Sequence, residues 1–199
     1  KRILFPSTAL VYQASEDPIN EDGELDQSST YAQSKSIGEQ VLRFHSMRHG
    51  IDHTLVRFFN VFGPGQLPMY IIPQILRQIL EENKVTVRNG AVMRDMLFVD
   101  DCIEAVLRLA VTREGANKVF NIGSGEIVSI AEIARQAIDV SGLPDVEFTD
   151  LEQNINFSPT AIRADIRKVS ETVNWLPEVS LREGLKRMWE SYSKENRQA

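Results

Sequence analysis

The chain has 199 residues, 42% of them hydrophobic and 25% charged, with a formal net charge of −6 at pH 7. That length can bury a substantial core as one domain or two small ones, and the acidic balance argues against a nucleic-acid surface, which needs clustered Lys and Arg. No apolar run approaches the ~18 residues of a membrane span and nothing at the start reads as a signal peptide; with Cys102 the one cysteine, an internal disulfide is excluded and a cytoplasmic setting is expected.

In chain order, Arg2 to Phe5 reads as a buried strand with no turn or cap before it, so the chain is expected to be a segment of something longer. Ser15 to Ser29 is polar and acidic and reads as a surface loop. A helix is predicted from Thr30 to Arg48, stopped by Gly50. Thr54 to Phe58 is the next strand and feeds a loop at Asn60. Pro73 suits the first turn of a helix continuing to Glu82. Val85–Val87 and Met96–Val99 read as short strands on either side of a turn at Asn89-Gly90. Asp100 is expected to cap a helix reaching Val111, and Val119–Ile122 is another strand. Ser129 and Glu132 form a capping box for a helix ending at Gly142. Asp165 and Leu181 are expected to begin the last two helices. Strands alternating with helices indicate an α/β fold.

The chemistry centres on Tyr31-Ala32-Gln33-Ser34-Lys35. A tyrosine and a lysine four apart share one helix face. A free phenol, with a pKa near ~10, is a poor base at neutrality, and a neighbouring ammonium favours the phenolate. Thr8 lies 23 residues upstream at the end of the first apolar run. A strand-end hydroxyl followed by a helical Tyr/Lys pair suits proton transfer to or from a carbinol.

These residues stand among five motifs in order: Thr8 before Val11-Tyr12; Tyr31 and Lys35; Arg57-Phe-Phe-Asn-Val-Phe-Gly-Pro-Gly65; Arg94-Asp95 ahead of Phe98-Val-Asp-Asp101; and Phe120-Asn-Ile-Gly-Ser-Gly125. Over nearly its whole length the chain resembles the extended short-chain dehydrogenases/reductases, the NAD-dependent epimerase/dehydratase group that acts on nucleotide sugars. The resemblance implies the C-terminal portion of a Rossmann-like doubly wound parallel sheet, plus a smaller α/β substrate-binding lobe. Residues 1–62 would belong to the NAD-binding core and 63–199 mainly to the lobe, with 96–125 partly returning to the core. It implies Tyr31 as general acid/base, Lys35 contacting the nicotinamide ribose, and Thr8 hydrogen-bonding the reacting sugar hydroxyl. Ser7, Phe58 and Val61, with Tyr31 and Lys35, would border the cofactor, NAD or alternatively NADP. Asn60 and Arg94 would contact the substrate's diphosphate, for which the planar guanidinium fork suits. A homodimer through the Tyr31–Arg48 helix and its neighbour is the implied partner arrangement.

Within the family, dehydrating members carry an acidic pair directly after the Ser/Thr, and sugar-acid decarboxylases a Glu two positions on. Here those positions are Ala9 and Leu10, which move no proton. A 4-epimerase is therefore expected, with a ketoreductase on the same residues as the alternative. No G-x-G-x-x-G follows a strand in this sequence, so a third reading is a non-catalytic scaffold, and the isolated chain is not expected to turn over. Gln13 replaces the family's usual Gly. Asn154–Ser158 lacks the family's Arg and Asp for a uridine diphosphate, which leaves the nucleotide open.

Duller readings compete at several positions. Arg94 could simply pair with Asp95, and Asp95 is expected to be structural. Asn121–Gly125 suits a tight turn better than a phosphate cradle. His45, His49 and His53 recur every four residues, yet Gly50 breaks the helix before the third; no metal is expected, with His49 at a helix C-terminus and the others on the surface. Cys102, Trp175 and Trp189 are expected to pack, the tryptophans at helix ends.

Overall fold

A computed structural model describes residues 1–26, 28–151 and 162–197. Three parallel strands form the central sheet: β1 (Arg2–Thr8), β2 (Asp52–Phe58) and β7 (Lys118–Ile122), in the order β1-β2-β7. Leu55, Val56, Phe120 and Ile122 are fully buried, as parallel strands covered on both faces should be. The fold is α/β.

Helix α1 (Thr30–His49) crosses from β1 to β2, capped by Ser29 and ended by Gly50 in the left-handed conformation. Its packing is inverted. The buried face carries Ala32, Ser36, Glu39 and Ser46, while Ile37, Val41, Phe44 and Met47 are exposed, the reverse of an ordinary amphipathic helix. Gly38 allows the helix to approach closely: a Cβ there would lie 2.6 Å from the Phe5 ring.

Beyond β2 the chain enters a second layer. β3 (Asn60–Phe62) pairs with β6 (Met96–Phe98), β4 (Lys84–Arg88) with β9 (Glu147–Leu151), and β5 (Met93–Arg94) with β8 (Val128–Ser129). Around these pairs, α2 (Ile71–Glu82), α4 (Ile130–Ser141) and α6 (Leu181–Arg197) bury a core that includes Ile75, Leu76, Ile133 and Leu185. Meanwhile α3 (Val99–Val111) and α5 (Arg167–Val173) return to the sheet, closing on Val56, Leu109, Phe120 and Trp175.

Several local expectations give way. Asn60 lies in a strand rather than a loop, because its backbone N–H donates to the Asp95 carbonyl at 3.2 Å. Val85–Val87 and Met96–Phe98 do not pair around their turn; each has a partner far away in sequence. Phe98, not Asp100, is the cap residue of α3, and Asp100 sits in its first turn facing Arg187. Asp165 precedes α5 and accepts the Arg167 N–H at 3.0 Å. Ser129 caps α4, but Glu132 accepts from Gln136 at 3.0 Å in place of the reciprocal half of a capping box. The loop after Ser15 is pinned by buried Ile19, which bridges to Ala164. Trp189 lies in mid-helix, in α6, and the Asn154–Ser158 region falls outside the described residues.

Candidate active site

At the carboxyl ends of β1 and β2 lies a cavity of about 730 Å³. Among its lining residues are Ser7, Thr8, Tyr31, Lys35, Phe58, Asn60, Val61 and Arg94, so the fold brings all eight expected site residues to one place. An adjoining chamber of about 430 Å³ shares Thr8, Leu10, Asn60 and Arg94 and extends to Ile162. The described lining of both contains no Asp, Glu or His. A separate cavity between Ser124–Val128 and Pro177–Leu181 holds none of the eight.

The backbone sets each group in place. Thr8 ends β1, and its hydroxyl accepts the Leu10 N–H at 3.2 Å, fixing its orientation at the cavity wall. Lys35 Nζ donates to the Pro6 carbonyl at 2.9 Å and lies 5.9 Å from the Tyr31 ring centroid. The ammonium is thus tethered to the strand beside the phenol, with donors remaining for a ligand. Tyr31 is 52% exposed, open to whatever enters.

Ser7 is differently placed. Its hydroxyl donates to the Glu39 carboxylate at 2.5 Å. Glu39 in turn receives a two-pronged contact from Arg57, at 2.9 and 2.7 Å, and Arg57 Nη1 donates to the Tyr12 hydroxyl at 2.8 Å. The Tyr12 hydroxyl donates to Asn121 Oδ1 at 2.7 Å, and the Asn121 amide donates to the Ile19 carbonyl. Burial pushes the Tyr12 phenol up to about 12. Burial alone would raise Glu39, but hydrogen bonds from Arg57 and Ser7 hold its carboxyl below the usual range. This network ties the helix bearing Tyr31 and Lys35 to both strands. Sequence reasoning missed it, because Glu39, Arg57 and Tyr12 stand 18 to 45 residues apart and no local pattern marks them as partners.

Arg94 and Asp95 do not pair. Arg94 Nη1 donates to its neighbour Met93's carbonyl at 2.8 Å, and burial lowers the guanidinium's pKa without a counter-charge among the described residues. Asp95 is fully buried; burial raises its carboxyl, opposed by donors from Ser124 N and Oγ, Gly125 N and Ala164 N at 2.6–3.1 Å. Those bonds shape the Asn121–Gly125 turn. A Cβ on Gly123 would lie 2.9 Å from the same carboxylate. Asn60 Nδ2 donates to the Asp95 carbonyl at 3.0 Å.

His53 is buried in β2 rather than exposed, its Nδ1 2.8 Å from the Ser46 hydroxyl. His45 and His49 stack on each other along α1. Among the described residues no three His, Cys, Asp or Glu side chains are arranged to hold a metal ion, and no helix is long and apolar enough to cross a membrane.

The sequence profile of the NAD dependent epimerase/dehydratase family matches residues 1–123. A UDP-glucuronate 4-epimerase from Thermodesulfobacterium geofontis is 29% identical over 98% of this chain and 60% of its own length. Among solved structures, the UDP-glucose 4-epimerase of Thermotoga maritima with UDP-glucose superposes at a TM-score of 0.88, with 28% identity over 98% of this chain and 64% of that one. A UDP-glucuronic acid 4-epimerase from Bacillus cereus, holding UDP-glucuronic acid and NAD, superposes at 0.87 with 28% identity, covering 98% and 62%. The chain spans about three fifths of the length of the curated relatives it matches.

Proposed function

The chain belongs to the NAD dependent epimerase/dehydratase family, and from that premise we propose that the protein carrying it is a nucleotide-sugar 4-epimerase using NAD. The observation that carries this reading is the gathering of Thr8, Tyr31, Lys35, Asn60 and Arg94 around one cavity whose described lining contains no carboxylate. Dehydration needs a further acid or base at the sugar; epimerisation does not.

The residues present suit the nicotinamide end of the cofactor. Phe58 and Val61 offer apolar surface beside the tethered Lys35 ammonium, which retains donors for a ribose hydroxyl. Once bound, the nicotinamide supplies a place for a hydride to go and to come back from. Tyr31 takes the proton of the sugar hydroxyl as its carbon is oxidised to a ketone, and returns it when the opposite face has been reduced. Thr8 donates to the reacting oxygen and keeps it against Tyr31. Arg94, a half-buried cation without a counter-charge among the described residues, holds the diphosphate, with Asn60 beside it. The exposed apolar stripe of α1 (Ile37, Val41, Phe44 and Met47) is the face we assign to a second copy in a homodimer. A lone cysteine fits a cytoplasmic setting. Turnover is proposed for the whole protein, since no glycine-rich phosphate loop stands in these 199 residues.

The test is Tyr31→Phe in the NAD-loaded protein, assayed on UDP- and dTDP-hexoses. Turnover should fall by about 10²–10⁴-fold, with the unfolding midpoint unchanged because the side chain is half exposed. Retained turnover would refute the assignment. Net consumption of NADH with a keto-sugar, without epimerisation, would point to the reductase.

A further inference from the structure

The 4-epimerase reading leaves the sugar itself open, and any choice of sugar rests on that reading. The described lining of the cavity and its adjoining chamber holds two cations, Lys35 and Arg94. Lys35 is tethered to Pro6 beside the cofactor end, and Arg94 is assigned to the diphosphate. Residues 152–161 include no Lys or Arg by sequence, and Arg163 lines neither chamber. Among the described residues lining the two chambers, no third cation is therefore at hand for an acid on the sugar.

The walls agree with this. Leu10, whose N–H is bonded to the Thr8 hydroxyl, stands 53% exposed at the cavity beside the reacting position. Leu67, Tyr70 and Met96 add further surface that cannot neutralise a negative charge. A carboxylate carried there would lose water without gaining an ion pair.

We propose that this site takes a sugar that is uncharged at its exocyclic carbon, a hexose or 6-deoxyhexose, and that it rejects uronic acids. The experiment is calorimetric titration of the NAD-loaded whole protein with UDP-glucose against UDP-glucuronic acid, and with the matching dTDP pair. The uronate should bind at least about tenfold more weakly. Leu10→Arg should narrow that gap by improving uronate affinity. Equal or tighter uronate binding overturns the inference, as does a gap that Leu10→Arg leaves unmoved. If neither sugar of either pair binds, the nucleotide-sugar reading itself has failed and takes this inference with it.

Discussion

Ser7 and Thr8 are neighbours on one strand, and their hydroxyls live in opposite surroundings. Ser7 faces the buried network, where Glu39, Arg57, Tyr12 and Asn121 meet one another at 2.5–2.9 Å. Thr8 faces the cavity, where Arg94 has one bond to an adjacent carbonyl and no counter-charge among the described residues. The same split recurs between Arg57 and Phe58, and between Glu39 and Lys35. The two regions share β1, α1 and β2. The difference teaches which polar groups hold the protein together and which await a ligand: the former are saturated, the latter are not.

The sharpest way to break this comparison is to remove one member of the saturated set. Arg57→Leu should cost about 3–5 kcal/mol, because it strands the Glu39 carboxylate in the interior. Adding Glu39→Leu should recover a good part of that loss, since no charge is then left unpaired. Urea denaturation of the two variants tests both statements; an Arg57→Leu midpoint like that of the parent would show the network to be ornamental.

On the unsaturated side the pattern should invert. Arg94→Met should weaken binding of a free nucleoside diphosphate by about 1.5–3 kcal/mol, while the denaturation midpoint holds or rises, because a half-buried guanidinium without a counter-charge is itself a cost. A midpoint that fell as far as in Arg57→Leu would place Arg94 in the wrong group.

The smallest effect belongs to His53. Burial first, then the Arg43 charge, lowers its pKa, so the folded state favours the neutral ring. A lowered pKa contributes stability that is complete above the unfolded value near ~6.5 and is lost as pH falls through the folded value. Stability measured between about pH 8 and 5 should therefore decline, and His53→Asn should flatten part of that slope. An unchanged slope would mean that the ring does not contribute.

The readable parts of the sequence were those with local causes. The run from Arg2 to Phe5, the start at Thr30 and the stop at Gly50 announce β1 and α1 through apolar content and caps. The eight cavity residues came from motifs whose spacing matches a known family. By contrast β3, β5 and β8 have two or three residues each and exist because distant segments pair. β9 reads Glu-Phe-Thr-Asp-Leu, too polar to signal a strand until Lys84–Arg88 lies beside it. The network was hidden for the same reason. Glu39, Arg57 and Tyr12 sit 18 to 45 residues apart, and a charged residue in a sequence does not reveal whether it faces water or an arginine.

Asp95 gives the molecule an order of completion. Its carbonyl is held by Asn60 and its carboxylate by Ser124, Gly125 and finally Ala164, a bond across 69 residues. On the ribosome, every proposed site residue has been made well before that last donor exists. At about 5–20 residues per second, roughly 3–14 s separate synthesis of Asp95 from that of Ala164. For that interval the Asp95 carboxylate lacks its Ala164 donor and the adjoining chamber lacks its wall at Ile162. A pause in translation between the codons for Asp95 and Ala164 would prolong that interval, whereas the same pause after the codon for Ala164 would not.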